Sequence, residues 1–420
     1  MINNNIERIY LFLFSFFPIS IIIGPSISLI NILTILVIFL IFTARNIEKE
    51  IFANPAIIFL ILLYFYLIFN SLIAVDFEMS AIRNFGFIRF ILLFILFNYF
   101  FNLSDKANNI FSFWFLIIII VAFDSFIEFY TGRNILGYGE LYGERIVSFF
   151  KDEPVVGAYI NAFIFMLIGY LFDKFIEKDL KFKLLLLFII FILFFAVLIT
   201  GERSNGIKAV LGLILFFILN KRLNFRFKIL TLLGVITIFS FAVVNSSFLK
   251  NRYYNMFTYH LTDSEKFSSF LKNQHYFELY RSGIAIFKDY PFFGVGNKNY
   301  RVETCKTRAF PVKKKENEKY KCNTHPHQVY IEFLSEHGLI GTILILYIFI
   351  KLIFLNFKNI YNNRNSIQIG CFCFLATNFI PFIPSGSFFS DFSSTFFFIN
   401  LSMLYAVSSK TNIFKKIDNF

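Results

Sequence analysis

Long apolar runs separated by short polar stretches recur along almost the whole chain. They fall at about 9–24, 26–44, 56–75, 87–103, 110–130, 155–172, 184–200, 206–220, 229–245, 338–356, 367–383 and 392–408. Each is near the length needed to cross roughly 30 Å of hydrocarbon. The pattern predicts an all-α integral membrane protein with about twelve transmembrane helices. It shows no heptads, no short-period repeat, no low-complexity linker and no evident inverted repeat. The first run enters the second through Gly24-Pro25 alone, which predicts a signal anchor and not a cleaved signal peptide.

Composition strengthens this reading. Of 420 residues, 57% are hydrophobic and only 16% charged, and mean hydropathy is +0.66. That leaves too little polar surface for a soluble fold of this size. It also excludes a disordered chain or coiled coil, and four cysteines are too few for a disulfide scaffold. The 66 Phe residues share AT-rich codons with the abundant Ile, Asn and Lys, so they carry no functional weight.

Charge orients the spans. One alternating set of connections, with both termini, holds 17 basic residues, among them Arg45, Lys106, Lys181, Lys183, Arg222, Lys358 and Lys410. The other set of short connections holds Arg83, Arg133, Arg145, Lys151 and Arg203. Basic residues are retained in the cytoplasm, so both termini are expected there.

One connection is long. Residues 246–326, between the ninth and tenth runs, carry 15 Lys/Arg against 7 Asp/Glu. A net positive outer loop suits an anionic partner such as a lipid phosphate or a pyrophosphate, although Lys313–Lys315 reads as a solvated face. His260, His275, His325, His327 and His337 all lie in this loop or just after it. Cys305 and Cys322 also lie here, and spacing alone leaves a disulfide between them open. Cys371 and Cys373 sit in an apolar run and read as small core residues.

Charges inside apolar runs need a partner or a task. Arg89, Asp124, Glu128 and Lys208 are such residues. Asp124 and Glu128 share a helix face, and the expectation is a structural ion pair from Arg89 to Glu128 or Asp124. Arg203 stands in Thr200-Gly201-Glu202-Arg203-Ser204-Asn205-Gly206, a tight outward turn. There a guanidinium is either solvated, paired with Glu202, or held ready to grip a phosphate.

The segment from His325 to Gly341 contains His327-Gln328, nine residues, Gly338, two residues and Gly341. This pattern resembles the signature of the O-antigen ligase and O-antigen polymerase superfamily. Arg281 followed by Tyr290-Pro291-Phe292-Phe293-Gly294-Val295-Gly296-Asn297 looks like its Arg and Pro-x-x-Gly-x-Gly block. The turn at Arg203 is similar to a third landmark, and Arg145–Pro154 echoes an outer-loop segment. The blocks occur in family order across 145–341. Read from the residues alone, Gly338 and Gly341 lie on one helix face and allow close helix packing. His325-x-His327 lacks a third metal ligand with convincing spacing, and His260, His275 and His337 read as bystanders.

The apolar runs and charge bias divide the chain into helices 1–245, a periplasmic loop 246–326, helices 327–408 with the motif, and a cytoplasmic tail 409–420, and the resemblance implies that the loop is helical. The resemblance also implies a metal-independent enzyme without cofactor in a bacterial inner membrane, in contact with membrane lipids and not with nucleic acid. A glycan would move from undecaprenyl pyrophosphate to a lipid A–core or glycan acceptor, with inversion. Arg203 and Arg281 would clamp the pyrophosphate, and His327 would act on the acceptor hydroxyl, since imidazole titrates near working pH. Gln328, Arg145, Tyr300 and Arg301 are candidate substrate contacts. The motif spacing favours a ligase over a polymerase. A small-anion transporter is the rival of another class, and would need ionisable groups along a path through the membrane.

Overall fold

The computed structural model describes residues 4–44, 47, 49–139, 145–151, 153–175, 177–255, 258, 275–305 and 320–414. The Lys313–Lys315 run and His260 lie outside them. Among the described residues there is no β-strand, and a helix occupies each of the twelve apolar runs. In order these are α1 (Asn4–Ser15), α2 (Phe17–Ile23), α3 (Pro25–Phe42), α4 (Pro55–Leu72), α5 (Phe77–Gly86), α6 (Ile88–Leu103), α7 (Asn109–Thr131), α8 (Val156–Phe175), α9 (Leu180–Ile199), α10 (Arg203–Leu219) and α11 (Phe225–Asn245). After α11 come a π-helical turn, Lys250–Asn255, and then α12 (His275–Asp289), α13 (Tyr300–Cys305), α14 (Val329–Phe354), α15 (Phe357–Asn363), α16 (Ser366–Thr377) and α17 (Asp391–Ala406).

Eight helical stretches among the described residues are long and apolar enough to cross a membrane, and α1 with α2, bent by 44°, makes a ninth. The other runs hold shorter helices, α10, α16 and α17, the last two started by polar caps. Asn365 Oδ1 accepts from Gln368 N at 3.0 Å at the start of α16, and Ser390 Oγ accepts from Ser393 N at 3.2 Å at the start of α17. Each cap satisfies a backbone donor that has no partner within its helix.

The helices divide by exposure. α11 is largely apolar and leaves Phe225, Leu230, Leu233, Ile236, Phe241 and Val244 exposed, the surface expected against lipid. α8 is instead buried along nearly its whole length and packs most closely on α16. Glycine makes that crossing possible. A Cβ at Gly370 would stand 2.1 Å from Phe165 O, and one at Gly169 would stand 2.2 Å from Ser366 O. Small residues let backbones approach where lipid offers no hydrophobic drive to pack.

The buried charges do not pair as the sequence suggested. Arg89 bonds Asp391, which also pairs with Arg83. Glu128 accepts Val147 N at 2.9 Å and Ser148 N at 2.6 Å. Asp124 accepts Ile135 N at 3.0 Å and bonds the Ser148 hydroxyl. The two carboxylates on one face of α7 therefore hold the segment that follows it. Backbone N–H groups leaving the helix are closer partners than an arginine on another helix, and each satisfied bond removes a desolvation cost.

Candidate active site

The α9–α10 connection is built around Glu202. Its carboxylate accepts Gly157 N at 2.6 Å and Ala158 N at 3.2 Å, so it caps the first turn of α8. Asn205 Nδ2 donates to the same group at 2.6 Å. Burial pushes its pKa up to about 7, against the pull of these donors and of Arg145. Arg203 then opens α10 at the boundary of that helix.

Two further segments converge on this turn. Arg252, in the π-helical turn, donates through Nη2 at 2.9 Å and Nε at 3.3 Å to Gly201 O. That same carbonyl accepts from Arg203 N at 3.1 Å. Tyr253 OH donates to Leu198 O at 3.1 Å. Arg145, carried by the segment that Asp124 and Glu128 hold, faces both Arg252 and Glu202. Burial, followed by Arg145 and Arg203, pushes the Arg252 pKa down. Three guanidiniums from three parts of the chain thus share one neighbourhood.

Tyr276 of α12 links this cluster to the histidines. It lies within electrostatic reach of Arg252, and its ring meets that of His327 edge-on at 5.4 Å. The His325 and His327 rings are 3.9 Å apart. Burial and then Lys298 push the His325 pKa down to about 4, so His325 is neutral at ordinary pH. His327 adopts φ 57°, and its carbonyl accepts Ser385 N at 2.9 Å.

The motif spacing has a structural meaning. Gln328 is the N-cap of α14, its Oε1 accepting Ile331 N at 2.8 Å. The nine residues that follow run from that cap to a kink at Gly338, which has φ 64° and ψ −169°. Into the kink fits the Pro-x-x-Gly-x-Gly segment: Leu339 N donates to Pro291 O at 2.8 Å and Val295 N to Ser335 O at 3.0 Å. A Cβ on Gly294 would stand 2.4 Å from His337 N, and one on Gly338 would stand 2.3 Å from Phe292 C. Both glycines also have positive φ, a conformation disfavoured for other residues. Gly338 therefore breaks the helix, correcting the expectation that it shares a regular packing face with Gly341. Gly341 does pack closely, against Tyr66, whose OH would stand 1.8 Å from an added Cβ.

On the far side of His325 lies a cavity of about 760 Å³. Ile21, Ile22, Pro25, Met79, Ile82 and Phe392 give it an apolar wall, and Arg83, Lys298, Arg301, His325 and Asp391 a polar one. Lys298 bonds Ser387, whose hydroxyl donates at 2.6 Å to the fully buried Glu332. Glu332 also accepts Phe388 N at 3.0 Å and faces Lys298 and His327.

The remaining candidates divide. Tyr300 is fully buried, and its hydroxyl donates to Leu279 O at 3.1 Å; this placement suits packing. Arg301 lines the cavity. Arg281 is exposed on α12, outside the arginine cluster. Cys305 and Cys322 are joined by a disulfide with Cα atoms 4.6 Å apart, tying α13 to the segment leading to His325. His337 is fully buried, with Nδ1 3.3 Å from Tyr66 OH. Among the described residues no group of three or more His, Cys, Asp or Glu is placed to hold a metal ion.

Residues 188–346 match the family model described as O-antigen ligase. This stretch is similar to the O-antigen ligase family. It covers somewhat over a third of the chain and contains Arg203, Arg252, Arg281, Lys298, His327 and the Gly338 kink, while Arg145 precedes it. No curated protein matches the chain. The O-antigen ligase match and the apolar helices agree on a membrane protein of a glycosyltransferase-like family. Sequence reasoning missed Arg252, Lys298 and Glu332. The available signal for Arg252 was its position just after an apolar run, mirroring Arg203 just before one.

Glu202 supplies a pH test. Its folded pKa is raised, so its contribution to stability is complete below about pH 4.5 and is lost as pH rises through about 7. Thermal stability of the purified protein should decline across that window. Glu202→Gln should flatten the decline, as followed by melting temperature against pH.

Proposed function

We propose that the chain is a membrane glycosyltransferase of the O-antigen ligase type. It moves a glycan from undecaprenyl pyrophosphate to a sugar hydroxyl of lipid A–core at the periplasmic face of a bacterial inner membrane. Twelve membrane crossings, both termini in the cytoplasm and a periplasmic 246–326 loop belong to this reading, supported by the bias of basic residues between alternate connections. The observation that carries it is the position of His327. Its ring lies between Tyr276, which faces the arginine cluster, and His325, which lines the cavity.

Arg203 binds the donor pyrophosphate, and Arg281 closes on it from the exposed face of α12. The cavity takes the acceptor, with Arg301 and Lys298 toward its anionic groups and its apolar wall toward acyl chains. His327 removes the proton of the acceptor hydroxyl. The acceptor oxygen bonds to the anomeric carbon as the bond to pyrophosphate breaks, and the electron pair leaves on the phosphate oxygen. Negative charge therefore grows where fixed guanidiniums stabilise it. Attack opposite the leaving group inverts the anomeric centre. Gln328 supports His327 by capping the helix that follows it.

Deleting the gene and resolving the surface glycans by size tests this function. The expected result is long glycan retained on undecaprenyl pyrophosphate with bare lipid A–core. Lipid A–core carrying a single repeat would assign the chain as a polymerase instead. An unchanged glycan pattern would count against both and favour the transport of a small anion.

A further inference from the structure

His327 and Lys298 share a backbone conformation that residues with a Cβ rarely adopt. Their φ angles are 57° and 64°. Such a conformation persists where neighbouring contacts hold it in place. For both residues a contact comes from one short segment, 385–388, between α16 and α17. Ser385 N donates to His327 O at 2.9 Å, and the Ser387 hydroxyl bonds Lys298.

The middle of this segment is fixed by Glu332 of α14. Its Oε1 accepts the Ser387 hydroxyl at 2.6 Å, and its Oε2 accepts Phe388 N at 3.0 Å. Glu332 is fully buried, an environment in which a carboxylate needs such partners. Its charged and titratable neighbours are Lys298, His327 and, one turn along α14, Glu336. The far end of the segment is secured separately. Ser394 Oγ donates to Phe388 O at 3.0 Å, and the Phe388 ring packs on Phe333 and Phe349. Apolar packing therefore holds that end, while the Glu332 bonds fix the part nearest His327 and Lys298.

We propose that Glu332 is a positioning residue which, through the 385–388 segment, holds His327 in the conformation that transfer uses. This deepens the transferase reading and rests on it for the reaction that His327 serves. Buried as it is, Glu332 acts through these bonds and not on the substrate. The same carboxylate places Lys298 through Ser387, so the base and one cation of the acceptor cavity share an anchor.

The test uses the full-length protein in detergent, with transfer measured per folded protein at saturating donor and acceptor. Glu332→Ala should lower turnover about a hundredfold, the scale of a misplaced reacting group, and leave the donor KM little changed. Glu332→Gln keeps an acceptor oxygen and should recover most of the loss. Added to His327→Ala, Glu332→Ala should produce no further loss, because the group it places is already gone. A contribution to folding alone would lower activity by the same factor in both backgrounds.

A second readout does not depend on activity. The chain has five histidines, so the imidazole signals of isotope-labelled protein can be followed by NMR, with His327→Ala assigning one of them. Glu332→Ala should move or broaden that signal. Should Glu332→Ala fail to fold, Ser387→Ala removes one of the two bonds, and should shift the same signal and lower turnover about tenfold. Unchanged turnover, an unmoved His327 signal, or a loss repeated in full on His327→Ala would overturn the proposal. A moved signal alongside normal transfer by His327→Ala would leave Glu332 as the anchor of His327 and remove His327 from the chemistry.

Discussion

His327→Ala should reach the membrane in normal amount and lose glycan transfer by about 10²–10⁴-fold, the range typical of a missing general base. Its side chain is only half-buried, and alanine keeps the backbone contact in which the carbonyl accepts Ser385 N at 2.9 Å. The helix behind it is capped by Gln328 and not by His327. Removing the imidazole therefore leaves the architecture in place. His325→Ala should be milder, because burial and Lys298 already hold that ring neutral. Transfer of product into lipid A–core, measured per unit of membrane protein, separates the two variants. Near-normal transfer by His327→Ala would remove the residue from the chemistry.

Arg203→Ala should be of similar severity, about 10²–10³-fold in turnover, the scale of losing one fixed donor to developing negative charge. Arg203 differs from His327 in what survives. The turn it stands in is held by Glu202 against Gly157 and Ala158 and by Arg252 against Gly201 O, so the substitution should not melt α10. Arg203→Lys should recover only part of the activity, since an ammonium lacks the planar fork. Turnover measured at saturating donor distinguishes this from weak binding alone. A variant with normal turnover and weakened donor affinity would limit Arg203 to ground-state binding.

Much of this arrangement was legible in the sequence, for identifiable reasons. The apolar runs locate the helices because continuous runs this long suit spanning helices, which satisfy their own backbone in lipid. The His-Gln-x9-Gly-x-x-Gly spacing was visible too, though its meaning was not. Nine residues is the helical distance between the Gln328 cap and the Gly338 kink that receives Pro291–Gly296, a contact between segments that local sequence cannot display. Crossing counts were harder, because α16 already stops at Thr377 and α17 spans only Asp391–Ala406. Partners of buried charges were harder still. Asp124 and Glu128 are recognisable as an i,i+4 pair, yet they staple the segment bearing Arg145, and Arg89 finds Asp391 some 300 positions away. Arg252 escaped notice because nothing in its neighbours by sequence announces Gly201 O.

The most direct test of the transferase assignment is reconstitution. Purified full-length protein would be incubated with a glycan on undecaprenyl pyrophosphate and with lipid A–core, and both lipids followed by mass spectrometry. The expected result is glycosylated lipid A–core formed together with free undecaprenyl pyrophosphate, the new linkage inverted and both products absent with His327→Ala. Donor left intact in the presence of folded protein and acceptor would contradict it.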